Sequence, residues 1–177
     1  WLVTIETADG LVQIDTGDQA QASLAAIRSR TDAAFTDIVF SHGHQRYNLA
    51  CRDWVLDCVR TSGRVPRVIA HENVPRRQRR YQDSSGLQNR LLERQFRYPK
   101  GSLEGRQFPF TTPTHVFRDM FVIDAPGRAI EVHHAPSETD DAVAVWLPAD
   151  KILYGGPACI PFFPNVGSPQ RPVRDPL

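Results

Sequence analysis

Two histidines separated by a single glycine, His42 and His44, stand in the segment SHGHQRY directly after the apolar run FTDIVF. A strand over residues 37–40 ends there on a turn, so imidazoles at i and i+2 are presented together just beyond a buried strand. That is the start of a metal site, because neutral imidazole is a common metal ligand. A zinc site needs three or four nitrogen, sulfur or oxygen ligands, with one position open if it is to activate water. Asp15 sits at the end of an earlier strand. Cys51 and Cys58 lie seven apart on one face of a helix and read as small buried hydrophobes rather than ligands. His71 and His115 read as hydrogen-bonded residues at strand ends.

The elements that must position these residues follow from the pattern of apolar positions. Residues 2–6 and 11–14 form a hairpin around the Ala8-Asp9-Gly10 turn. Gly17 is free to adopt an unusual φ, and residues 18–29 form an amphipathic helix with Ala20, Leu24 and Ile27 inward and Asp18 near its positive end. Residues 32–40 return as the strand leading to the histidines, which gives an α/β crossover unit. Asn48 can cap a helix over 49–60, with Trp54, Val55, Cys58 and Val59 inward. Residues 67–70 make a short strand ending at His71, and Pro75 suits the first turn of the next helix. Gly86 divides the following helical region in two. The run RRQRR (76–80) reads as a solvated helix face or a contact for an anionic substrate or partner.

Residues 98–115 lack periodicity and form an extended loop, over a cleft or against a partner. Strands are expected over 116–123, 129–133, 142–147 and 151–154. The prolines at 157, 161, 164, 169, 172 and 176 exclude regular helix or central strand over most of the end of the chain. The expected organisation is therefore one domain over residues 1–156 with a proline-rich arm over 157–177. The architecture is a mixed α/β sheet assembly with helices outside.

Composition agrees. With 177 residues, 41% hydrophobic and 23% charged, the chain has the make-up of a globular domain. A net charge of +1 gives no whole-chain reason to expect nucleic acid or an anionic membrane as partner. There is no run of 18 apolar residues and no signal peptide in the sequence, which opens within the strand-like run WLVTIE. Three cysteines form no disulfide pattern and point to a reducing compartment such as the cytoplasm.

In order along the chain, LVQIDTG, TDIVFSHGH, RVIAHENV with RRYQDSSGLQNRLLERQF, HHAPSETDDAVAVWLPADKILYGG and PNVGSP resemble the metallo-β-lactamase superfamily, particularly its alkyl-sulfatase-like hydrolases. The resemblance covers nearly the whole chain. It implies a four-layer αββα sandwich with a metal site at the strand ends between the sheets, one or two zinc ions, and water activated for hydrolysis. Members of the family run longer, so the chain reads as a domain lacking its first strand or its last helices.

Carried over to this sequence, the family's first motif, His-x-His-x-Asp-His, has His42 and His44 in its first two positions, Arg46 in place of the aspartate and Tyr47 in place of the last histidine. The resemblance puts Glu138 at the next ligand position, with His133 and His134 nearby and His134 as a further candidate ligand. Pro157 stands after Gly156, where a bridging carboxylate is expected. Asp15 matches the aspartate of Asp-Thr-Gly, which organises backbone beside the site. Asp140 and Asp141 have a role near the cleft or cap a turn. One ion held by His42, His44 and Glu138 is the most this set implies. Arg46 then holds an anionic group of the substrate, and Tyr47 meets a substrate oxygen.

Two functions follow. One is a metal-dependent hydrolase of a sulfate ester or other ester-like bond. The other is a catalytically lapsed relative, metal-free, kept as a structural or interaction module that contacts another protein or a second copy of itself.

Overall fold

The computed structural model describes residues 2–159; the expected arm beyond Cys159 lies outside them. The first sheet begins with a hairpin, β1 (Val3–Thr7) and β2 (Gly10–Ile14), paired antiparallel. It continues in parallel through β3 (Phe35–Val39), β4 (Arg67–His71) and β5 (His115–Phe117), in the order β1-β2-β3-β4-β5. Parallel neighbours need crossovers, and helices supply them. These are α1 (Gln21–Arg28), α2 (Cys51–Ser62), and the pair α3 (Val74–Asp83) and α4 (Ser85–Gln95). The second sheet is wholly antiparallel: β6 (Met120–Ala125), β7 (Arg128–His134), β8 (Val143–Leu147) and β9 (Ile152–Tyr154), in chain order.

The expected strand over 116–123 is two strands in different sheets. Apolar residues lie on both sides of the break, and only the charged pair Arg118-Asp119 marks it. At Arg118–Asp119 the chain steps across: the Phe117 carbonyl accepts the Glu72 N–H on the first sheet, and the Asp119 carbonyl accepts the His134 N–H on the second. Both ends of the step are thus satisfied by main chain.

The two sheets enclose a core of Val12, Ile14, Val39 and Ile69 from one side and Ile123, Ile130, Val132 and Val145 from the other. The other face of the first sheet packs Leu11, Phe35, Ile38 and Val68 against Ala20, Cys51, Trp54 and Cys58. Phe35 and Trp54 meet edge-on at 5.2 Å, and the Trp54 indole N–H donates to the Thr16 carbonyl at 3.0 Å. Cys51 and Cys58 are buried and free, as their spacing suggests, and burial pushes the Cys51 thiol up to about 12. The outer face of the second sheet leaves Met120, Val122 and Leu153 exposed. Helix, sheet and sheet layers are therefore present among the described residues.

Helix boundaries differ from the sequence expectation in an informative way. α2 starts at Cys51 with Ala50 at its cap and no side-chain cap. Asn48 is not available for capping, because it is drawn into the site described next. α1 starts at Gln21 without an acidic first turn, and Asp18 pairs with Arg46 instead.

Candidate active site

The carboxyl ends of β2, β3 and β4 and the β7–β8 loop converge, the usual location for ligands in parallel α/β sheets. Asp15 ends β2 in a left-handed conformation, φ 56°, followed by Gly17 at φ 72°. Its carboxylate is fully buried. It accepts the Ser41 N–H at 2.8 Å, the Ser41 hydroxyl, and an Asn48 amide N–H at 2.9 Å. Burial pushes its carboxyl up to about 6, and the hydrogen bonds from Ser41 and Asn48 work against that rise. The Asn48 oxygen accepts the Thr16 N–H at 3.1 Å, so one side chain ties the two loops together.

This arrangement fixes the His42 ring. Ser41 Oγ lies 2.8 Å from His42 Nδ1. When Asp15 is ionised, the single Ser41 proton goes to it, so Nδ1 carries the imidazole proton and donates to Oγ. Nε2 is then an acceptor. It is buried with no hydrogen-bond partner and lies 3.7 Å from Glu138 Oε2. Burial, then His44 and Arg77, hold His42 well below the ordinary histidine value. His44, whose Nδ1 is likewise buried and unpartnered, falls to about 4, through burial and then Arg77, with Asp141 opposing.

A buried ion pair locks the loop between the two histidines. Asp141 Oδ2 accepts the Gly43 N–H at 3.2 Å and Arg77 Nε at 2.7 Å, and Oδ1 accepts the Thr139 hydroxyl. A Cβ at Gly43 would stand 2.5 Å from Asp141 Oδ2 and 2.9 Å from Arg77 Cδ, so glycine is required for this approach. Arg77 also pairs with Asp140, which Arg76 reaches at 2.9 Å from the surface. The run RRQRR is therefore not a uniform solvated face. Arg77 is buried, while Arg76, Arg79 and Arg80 are exposed.

Tyr47 packs its ring 4.3 Å from that of His42 and 5.6 Å from that of His44, and the two imidazoles are 5.8 Å apart. Burial, then Glu138 and Asp15, raise the Tyr47 hydroxyl above its ordinary value. Glu138 is also raised, chiefly by burial, with Arg77 opposing. Arg46 turns away from the histidines. It pairs with Asp18 and lies 5.5 Å over the Phe96 ring. His134 stacks on His71 at 3.8 Å and donates from Nε2 to the Asp140 carbonyl at 2.9 Å. His133 bonds Glu131 at 2.8 Å. The structure thus brings His42, His44, Tyr47 and Glu138 together, with Asp15 behind Ser41, and leaves Arg46 and His133 apart.

Among the described residues, no three His, Cys, Asp or Glu side chains are gathered closely enough to hold an ion as they stand. The donor chemistry fits one ion at most: two neutral imidazoles with unpartnered nitrogens and one carboxylate. Arg46 and Pro157 bring no ligand to a second. Ser41, Asn48, Gly43 and Arg77 were the residues that local sequence reading missed, because each acts through a partner remote in the chain.

No family model matches the chain. A double mutant of the sec-alkyl sulfatase PisA1 superposes with a TM-score of 0.68 at 20% identity, covering 87% of this chain and 27% of that one. A subclass B3 metallo-β-lactamase from a soil metagenome library gives 0.53 at 20% identity, covering 82% and 50%. The fold is that of the metallo-β-lactamases. The chain is also similar in sequence to a linear primary-alkylsulfatase of Pseudomonas sp., 28% identical over 200 residues and covering 98% of this chain. The chain spans 36% of the length of that relative.

Proposed function

We propose that this fold serves hydrolysis of an anionic ester, with alkyl sulfates the first class to test, and that it does so with one divalent ion held by His42, His44 and Glu138. The observation that carries the reading is the buried, unpartnered Nε2 of His42 facing Glu138. Its similarity to alkylsulfatases supports the choice of substrate. When bound, the ion supplies an activated water.

The chain's own residues do the rest. Asp15 and Ser41 orient the His42 ring, as carboxylate partners do for ligating histidines. Burial keeps both imidazoles neutral, the state a ligand needs. Tyr47 keeps its proton and donates to a substrate oxygen. Asp141 and Arg77 hold the turn that carries both histidines.

Elemental analysis after zinc loading and gel filtration is expected to give one ion per chain, with release of inorganic sulfate from decyl sulfate. His42→Ala and Glu138→Gln are expected to lose both. A chain that retains no stoichiometric zinc and releases no sulfate would refute the hydrolase and leave a binding module. Zinc without turnover of any sulfate ester would refute the substrate class alone.

A further inference from the structure

A second concave site lies on the far side of α4. The helix carries Leu87 and Leu91 four residues apart, and beside them Arg90 and Arg94 four residues apart, so an apolar stripe and a cationic stripe run side by side. Leu87 is 58% and Leu91 45% exposed. Past the helix, Arg97 takes a left-handed conformation, φ 55°, and the Tyr98 N–H closes on the Glu93 carbonyl at 2.9 Å. This turn brings Arg97, Tyr98 and Lys100 round to face the same space.

The opposite wall is fixed to the helix. The Glu93 carboxylate accepts the Gly101 N–H at 3.0 Å and the Leu103 N–H at 2.8 Å, and Asn89 donates to the Arg106 carbonyl at 2.8 Å. These two backbone amides hold the Glu93 carboxyl below its ordinary value, and Arg90 adds to that. The cavity so enclosed measures about 940 Å³, the size of a small-molecule site.

Its chemistry is mixed in a specific way. Arg90, Arg94, Arg97 and Lys100 face two carboxylates, Glu93, already occupied by amides, and Glu104. Among the described residues, none of the four cations is in an ion pair. A small inorganic anion would leave Leu87, Leu91 and Tyr98 uncovered, and a neutral apolar ligand would leave the guanidinium groups without a counterion. A ligand with one anionic head and one alkyl chain satisfies both stripes. We infer that the cleft between α4 and the turn over residues 97–105 binds an anionic amphiphile, at a site separate from the His42 cluster. Arg46, which lies over Phe96 and bonds Tyr98, links it to that cluster.

Calorimetric titration with decanesulfonate, which has the head and chain but no ester to hydrolyse, tests this below its micelle concentration. With both proteins kept zinc-free by chelator, so that the hydrolytic site lacks its ion, one binding site is expected in the wild type and in the His42→Ala variant alike, which separates this site from the hydrolytic one. Arg94→Gln with Arg97→Gln is expected to weaken it about tenfold, and Leu91→Asn to weaken it severalfold. Methanesulfonate and decyl maltoside are expected to bind far more weakly than decanesulfonate. The three cleft positions, Leu91, Arg94 and Arg97, are exposed, and far-UV circular dichroism checks that the variants fold. Cosedimentation with phosphatidylglycerol but not phosphatidylcholine vesicles, lost in the double arginine variant, would name a lipid surface as the source. Retention of decanesulfonate binding without cosedimentation would name a free amphiphile. Equal affinity in wild type and both cleft variants, or loss of binding in His42→Ala, would overturn the proposal.

Discussion

At the scale of single residues, the site depends on two small side chains that carry no obvious chemistry. Ser41 has one proton and two neighbours that want it, and the ionised Asp15 takes it. The tautomer of His42 is the consequence. Nitrogen-15 NMR of the metal-free protein at neutral pH is expected to show His42 protonated at Nδ1, and Ser41→Ala is expected to mix the tautomers. A wild-type ring protonated at Nε2 would contradict the relay. Gly43 is the second case. Gly43→Ala must displace Asp141 or Arg77, and it is expected to destabilise the fold by about 1–3 kcal/mol in urea denaturation. A neutral effect would mean the ion pair has room to shift. His42 and His44 were legible from spacing alone. The need for glycine between them was not, because its neighbour Asp141 is 98 residues away.

At the scale of elements, α3 shows how a charge run can mislead. Four arginines in RRQRR look equivalent in sequence, but the helix turns one of them inward against Asp141. Removing one partner of a buried pair leaves the other charge uncompensated. Arg77→Met is therefore expected to destabilise by roughly 3–5 kcal/mol, and to loosen the histidine turn with it. Arg76→Ala, at the surface end of the same network, is expected to change stability by no more than about 1 kcal/mol. Equal effects would return the run to a plain solvated face. Burial of one arginine was unreadable because its carboxylates lie beyond β7. The same remoteness explains Asn48, whose type suits a helix cap but whose side chain is held by Asp15 and Thr16. Local preference lost to a tertiary partner in each case.

At the scale of the whole molecule, the order of strands and helices was legible because strand and crossover periods differ. The assignment of strands to two sheets was not, since only the charged pair Arg118-Asp119 separates β5 from β6 and local sequence does not say which neighbour a strand pairs with. The convergence of strand ends makes one further prediction, because it buries groups that titrate in opposite senses. In the metal-free protein His42, His44 and His71 have folded values lowered from 6.5, to about 4 for His44. The unfolded chain takes up these protons first, so the stability they contribute is present above pH 6.5 and lost as the pH falls. Asp15, raised from 3.8 to about 6, and Glu138, raised from 4.5, behave in reverse. The folded state binds their protons first, and stability from them grows as the pH falls below about 6. Three groups therefore oppose two. The expected result is a net loss of stability as the pH falls from 6 to 4.5, read from urea denaturation. Asp15→Asn removes one of the opposing groups and is expected to steepen that loss. Stability that is flat or rises with acid in the wild type would mean that the histidines are not held neutral in the fold, and the donor set for an ion would fail with them.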